Sequence, residues 1–301
     1  MKPEARHLLL NLLLGTTNRR LSAREAIASC ALFGIRENTV RVALVRLASS
    51  GMIEAVGRGQ YRLGPRAEGL AGDVSTWRDV ERRVRDWDGG WIAVHVGALG
   101  RGDRASRRAR ERALELLGLR ELDGGLFVRP DNLAGGVDGV RDRLARLGVG
   151  SEAAVFVAHS FDAERRERAA SLWDVAALDR GYRETRALLE DWLARWSAGS
   201  PSLSLEAAAR ESFLLGNDAI RQLVFDPLLP APLVDVEARR AFVRAVRRFD
   251  GVGHSIWQRF LLGVAGGVVR PQRALDSTTA AARLRTRAAG SFSPSNVETS
   301  R

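Results

Sequence analysis

The sequence predicts an α+β protein in three parts: an N-terminal module of short helices with a β-hairpin, a central α/β domain and a helical C-terminal domain. Three observations support this order. Helical and strand patterns alternate around glycines over residues 22 to 63, strand patterns separated by helical ones follow over residues 91 to 158, and amphipathic helical periodicity dominates after residue 165. At 301 residues the chain is long enough for two or three separate cores.

A helix-turn-helix is predicted over residues 22 to 51. Ser22 followed by Glu25 is a capping-box pattern, in which each side chain binds a free backbone N–H at the start of a helix. Gly34 ends that helix, because glycine adopts the left-handed conformation without steric cost. A second helix is predicted to begin within two residues of Ile35 and to end at Gly51. Its buried face consists of Val40, Ala43, Leu44 and Leu47.

A basic hairpin is predicted directly after the second helix. Residues 52–56 alternate as a strand, Gly57-Arg58-Gly59 forms a turn, and residues 60–63 return as a second strand. A second helix that enters the major groove, with a hairpin beside it, is a DNA-binding arrangement, the winged helix-turn-helix. The alternative is a winged helix used only for contacts with other proteins.

Local charge favours DNA as the partner of this module. Residues 1 to 66 contain eleven Lys or Arg against four Glu, a net charge of +7, whereas the whole chain carries +11. The total charge by itself is weaker evidence, since all but one of the basic residues are arginine, a bias that GC-rich coding produces. The predicted contacts with base edges lie in the first turns of the second helix, and two further arginines are predicted to contact phosphate. The predicted DNA-binding residues are Arg36, Asn38, Thr39, Arg41, Arg46 and Arg58.

The central segment predicts a ferredoxin-like α/β sandwich. Strands are expected at residues 91–96, 125–129 and 154–158, with helices at about 104–117 and 137–147, and a further short strand near residues 119–122 completes the pattern. His95 and His159 fall near the ends of two strands. They could bind a metal, but we expect hydrogen-bonded core residues, because no third ligand has the spacing of a metal site.

The rest of the chain predicts helices and a polar tail. Helices are expected from Arg165 onward, including one over residues 206–224 interrupted at Gly216-Asn217 and a last one over about 236–249. Between them, Asp226-Pro227-Leu228-Leu229-Pro230 predicts a rigid extended brace, because proline cannot continue a helix. Residues from 265 onward have little periodicity and predict a disordered tail.

Composition argues against a disulfide-bonded or membrane-spanning protein. Cys30 is the single cysteine, which excludes an internal disulfide and a thiolate-rich zinc site and fits a reducing cytosol. The longest early apolar run, residues 8 to 14, is too short to span a bilayer. We therefore expect a cytoplasmic protein without a membrane segment. We also expect no resident metal, no cofactor and no enzymatic activity.

The series of motifs in this order is far more specific than the helix-turn-helix alone, which many regulators share. The chain resembles the PaaX-type transcriptional repressors of phenylacetic acid degradation operons over roughly residues 5 to 260. The likeness rests on GIRENTVRVALVRLASSGMI with GRGQYRL after it, Trp77 and Trp91, the arginine-rich helix leading into LFVRP, LWDVAALDRGY, and RQLVFDPLLP.

The resemblance implies a homodimeric repressor that binds double-stranded operator DNA and is released by an aryl-CoA thioester, with phenylacetyl-CoA as the family's effector. It also implies that the central domain is Cas2-like. The expected domains are a winged-helix domain (1–66), a linker or hinge helix (67–88), a ferredoxin-like domain (89–162), a helical effector and dimerisation domain (163–264) and a disordered tail (265–301).

The sequence leaves two other functions open. The central domain could be a Cas2-like metal-dependent nuclease, but the first strand ends in His95-Val96-Gly97 and the nearest acidic residue, Asp88, precedes it. The C-terminal helices could also be a dimerising scaffold without a small-molecule effector, since Trp173, Trp192 and Trp196 have the spacing of core residues. The sequence does not identify residues that would contact an effector.

Overall fold

The computed structural model of the chain describes residues 3–15, 20–67, 76–97, 104–150, 152–199 and 203–267. They form a mixed α+β fold with two small antiparallel sheets and a helical C-terminal region, as the sequence predicts. Residues 68–75 of the predicted linker, and residues 268–301 of the predicted tail, lie outside the described residues.

The N-terminal module combines three helices with a three-stranded antiparallel sheet. Its strand order is β1-β3-β2, and Leu8, Leu9 and Leu13 are fully buried beneath it. The sequence did not indicate the first strand, because three residues are too few to show alternation. The elements are α1 (Ala5–Gly15), β1 (Arg20–Ser22), α2 (Ala23–Ala31), α3 (Glu37–Ser49), β2 (Ile53–Gly57) and β3 (Gln60–Leu63).

The central region has the predicted β-α-β-β-α-β order, including the short additional strand. Its sheet is antiparallel throughout, with strand order β5-β6-β4-β7. One face buries Ile92 and Val94 against the two helices, and the other places Trp91 against the C-terminal helices. The elements are β4 (Trp91–His95), α4 (Arg104–Leu116), β5 (Arg120–Asp123), β6 (Leu126–Pro130), α5 (Gly136–Arg146) and β7 (Ala154–Ala158).

The described part of the predicted linker is packed against the helices. Residues Thr76–Arg83 form 3-10 turns in which Trp77 and Val80 are buried in the same core as the C-terminal helices. Arg78 forms an ion pair with Asp250 at 2.8 Å. This part of the chain is therefore attached to the C-terminal domain.

The C-terminal region consists of α6 (Ala163–Ala170), α7 (Val175–Ser197), α8 (Leu205–Val224) and α9 (Val236–Ala265). Two predictions were wrong here: α8 continues without a break through Gly216-Asn217, and α9 continues sixteen residues past Phe249. The physical reason is close packing. Gly216 faces the Phe249 ring and Gly253 faces Ser212, where a Cβ would lie at ordinary contact distances of 3.5 and 3.6 Å, so α8 and α9 pack directly against each other at these positions.

The Asp226–Pro230 segment is a buried brace between the central sheet and the helices. Leu228 and Leu229 are 2% and 1% exposed. Asn132 donates to the Leu228 carbonyl at 2.6 Å, and Arg239 of α9 donates to the Leu229 carbonyl at 2.5 Å. Backbone carbonyls that would otherwise be buried without partners are thus satisfied by side chains from both neighbouring domains.

Candidate nucleic-acid interface

Local hydrogen bonds define both ends of helix α2 and thereby the direction in which α3 begins. The predicted capping box is confirmed: Ser22 N–H donates to the Glu25 carboxylate at 2.7 Å, and Glu25 N–H donates to the Ser22 hydroxyl at 3.1 Å. At the other end of α2, Gly34 has a φ of +67°, and Ile35 N–H donates to the Cys30 carbonyl at 3.1 Å. This is a Schellman ending, which sets the angle at which α3 leaves the turn.

Helix α3 has one buried face and one exposed face. Val40, Leu44 and Leu47 are buried in the core of the module. On the other side, the Val42 and Val45 side chains are 49% and 68% exposed. Two large apolar side chains one helical turn apart are thus presented to solvent between charged neighbours.

All six predicted DNA-binding residues are exposed. Five lie along α3 or at its N-terminus, where Arg36 occupies the N-cap position, and Arg58 lies in the turn between β2 and β3. Arg41 is not free: its guanidinium donates to the Glu37 carboxylate at 2.7 and 2.9 Å. A contact between Arg41 and a base therefore requires that this exposed ion pair opens.

The hairpin places Arg58 at its outer tip. Gly59 has a φ of +69°, which glycine adopts without strain, and a register shift between Ala55 and Gly57 bends the strand before the turn. Further down the hairpin, Arg62 pairs with Glu54 across the strands at 2.8 Å. The tip arginine is therefore left as the exposed cation of the turn.

The module packs against the C-terminal helices through α1, α2 and the turn, and not through the outer face of α3. The Phe33 ring meets the Phe213 ring of α8 edge to face, with centroids 5.3 Å apart. The Asn11 side chain donates to Asn217 of the same helix at 3.0 Å. These contacts leave the outer face of α3 exposed.

The two histidines are not core residues, which corrects the expectation from sequence: His95 and His159 are both exposed. Among the described residues, no group of three His, Cys, Asp or Glu side chains could hold a metal ion. Cys30 is buried, as expected for a core residue, and burial raises the pKa of its thiol to about 12. Within the same ranges, no helix is long and apolar enough to cross a membrane.

Fold and sequence together define the class: an α+β protein whose helical C-terminal region follows two small sheets. Residues 173–259 match the family model described as PaaX-like protein C-terminal domain. The match confirms the resemblance over these residues, which are similar to the C-terminal domain of PaaX-like proteins.

A solved structure extends the likeness beyond that domain. The chain is similar to the uncharacterized protein Rv0674 from Mycobacterium tuberculosis, with 26% identity and a TM-score of 0.59. The similarity covers 85% of this chain and 97% of the other. A comparison with curated proteins finds no match.

Proposed function

We propose that this chain is a PaaX-like transcriptional repressor that binds operator DNA through α3 and the β2–β3 hairpin. The observation that carries the proposal is the exposed face of α3 in a chain whose C-terminal domain matches the PaaX model. On this proposal residues 1–66 form a winged helix-turn-helix, residues 89–162 a ferredoxin-like, Cas2-like domain and residues 163–264 the effector and dimerisation domain. The protein acts in the cytoplasm, where its operator is.

Each predicted contact has a chemical role. Asn38 pairs with adenine through its amide, Arg36 and Arg41 donate to guanine, and the Thr39 methyl lies against a thymine methyl. Arg46 and Arg58 donate to phosphates, which position the module without reading sequence. A good bidentate base contact contributes about 1 to 3 kcal/mol of discrimination.

Two copies are needed for tight binding. A single module of this size buries too little surface to hold an operator at physiological salt, so a homodimer on a partly palindromic site is expected. An aryl-CoA thioester, phenylacetyl-CoA by resemblance to the family, releases the operator by binding more tightly to the arrangement that does not fit DNA. The regulated genes encode degradation of an aromatic, phenylacetate-type compound.

A regulator without an effector is the second candidate. Trp192 is fully buried and Trp173 is 6% exposed, so much of the aromatic content of the C-terminal helices belongs to the core. Fewer aromatic side chains are then left to bind a ligand, which favours the candidate in which the C-terminal helices only mediate dimerisation. The two candidates differ in a single measurable property, the response of DNA binding to a thioester.

Selection of bound duplexes from a random pool tests both candidates. The full chain should enrich a partly palindromic site, and phenylacetyl-CoA should abolish that enrichment whereas phenylacetate should not. Enrichment that no thioester changes would support the scaffold candidate. Failure to enrich any sequence would contradict the proposed function.

A further inference from the structure

Two adjoining recesses run along α9 where it faces α7. The smaller has a volume of about 190 Å³ and the larger about 510 Å³, which lies in the range of ligand pockets. Arg248 lines both recesses, which therefore adjoin at its side chain and are together called the α9 groove. The other lining residues that bear on ligand binding are Arg244, Arg259, Trp196, Val252 and Ile256.

The α9 groove carries unneutralised positive charge. Arg244, Arg248 and Arg259 are exposed, and within the described part of the chain none of them forms an ion pair or hydrogen bond. The nearby Glu190 carboxylate already pairs with Arg186 at 2.9 Å. Like charges four residues apart on a helix repel each other, so a bound anion would relieve an unfavourable arrangement.

The wall of the larger recess is apolar. Ile256 is buried and Val252 half-buried, and the half-buried Trp196 indole stacks on Trp192 with centroids 6.2 Å apart and ring planes at 12°. An anion alone would gain nothing from such a wall. The groove therefore suits a molecule that has phosphate groups at one end and an aromatic or acyl group at the other.

We propose that the α9 groove binds a small phosphorylated ligand with an aromatic or acyl portion and is the effector site of the regulator, an assignment that rests on the proposed function. The arginines hold the phosphates, and Trp196 with Val252 contacts the apolar portion. Duplex DNA is the less suitable occupant, because a phosphate backbone has no apolar group to place in the recess.

Helix α9 also contacts the DNA-binding module, so a ligand in the α9 groove could influence DNA binding through this helix. Trp257, next to Ile256, meets the Phe213 ring at 6.1 Å, and Phe213 in turn meets Phe33 at 5.3 Å. Phe33 directly precedes Gly34, where the chain turns into α3. A ligand that shifts α9 would therefore move the surface on which the module rests.

Calorimetric titration of the full chain with phenylacetyl-CoA, coenzyme A and inorganic pyrophosphate tests the site. We expect phenylacetyl-CoA to bind most tightly, and Arg248→Ala or Arg259→Ala to weaken it at least about tenfold, the loss expected for a charge-assisted hydrogen bond. Trp196→Phe should retain binding and Trp196→Leu should not. Arg146→Ala, an exposed arginine of α5, is the matched control and should bind as the wild type does.

The same proteins are then tested on the selected operator in gel shifts. The groove variants should bind operator normally and resist release by the thioester. No binding of any probe to the wild type, equal binding to the groove variants, or equal affinity for pyrophosphate would overturn the site. So would groove variants that lose DNA binding, because the groove would then be a DNA surface. Failure of the wild type to bind any operator would instead overturn the proposed function.

Discussion

Arginines in two regions of this molecule have opposite surroundings. On α3, Arg36 and Arg46 are exposed, whereas Arg129 of β6 and Arg239 of α9 are each only 2% exposed. The exposed pair is available to an external anion, and the buried pair serves the fold. Composition alone cannot separate these roles, since a chain with this much arginine carries both.

The buried arginines hold the Asp226–Pro230 brace. Arg129 donates to the carbonyls of Leu117 and, at 3.2 Å, Pro227, and to the Asn132 side chain at 3.0 Å. Burial lowers the pKa of Arg129 to about 9, which still leaves the guanidinium charged at neutral pH. The cation is stabilised by carbonyl dipoles from two domains.

The largest expected effect comes from removing the buried cation. Arg129→Ala should lower the free energy of unfolding by about 3 to 5 kcal/mol, because buried carbonyls lose their donor and a cavity remains. Urea unfolding measures this. Arg146→Ala should stay within about 0.5 kcal/mol of the wild type. Equal free energies of unfolding for the two variants would show that the buried arginine contributes no more to stability than the exposed one.

Removal of the exposed hairpin cation should leave the fold unchanged and weaken DNA binding. Arg58→Ala should weaken binding to all duplexes alike, by about 1 kcal/mol at most, since the contact is exposed to solvent. The slope of log affinity against log salt should fall by about one unit. Fluorescence anisotropy over a salt series measures both, and a change for the operator alone would contradict a phosphate contact.

The exposed valines of α3 allow a test of DNA contact that depends on a single methyl group. If Val45 contacts a thymine methyl, replacing that thymine with uracil should weaken binding by about 0.8 kcal/mol, the value of one buried methylene-sized group. Val45→Ala should bind the thymine and uracil duplexes equally. Equal binding of both duplexes by the wild type at every thymine of the site would exclude this contact.

The smallest effect is expected at the Glu37–Arg41 pair. Glu37→Gln frees Arg41 and removes a negative charge beside the DNA, so operator affinity should rise, by about 0.5 kcal/mol for an exposed pair. Thermal unfolding should be nearly unchanged. Weaker operator binding by this variant would mean that the ion pair positions Arg41 for its contact.

The sequence predicted the N-terminal module well because its signals are local. The Ser22–Glu25 box, Gly34 and the glycines of the hairpin each act within a few residues, and the structure places the helices and strands where these signals indicate. The predicted site residues lie on the exposed side for the same reason: a helix of known start has a calculable face. The Glu37–Arg41 pair was missed, although i,i+4 spacing could have indicated it.

Features that depend on distant contacts were missed. Gly216-Asn217 suggested a break in α8, but the helix continues because it packs against Phe249 of α9, a contact that no local pattern reveals. The buried Arg129 binds the Pro227 carbonyl, which is 98 residues away in the chain. The α9 groove likewise exists only because α7 packs beside α9. The arginines and the tryptophan that line it are visible in the sequence, but their spatial arrangement could not be predicted from it.

The base preference of an Asn38 variant tests the central claim most directly. Selection from a random pool should give the same site for wild type and Asn38→Ala, except that one A·T position in each half-site becomes indifferent in the variant. Arg58→Ala should keep the preference at that position. A variant site identical to that of the wild type, or no enriched site for the wild type, would contradict the claim that the outer face of α3 contacts base edges.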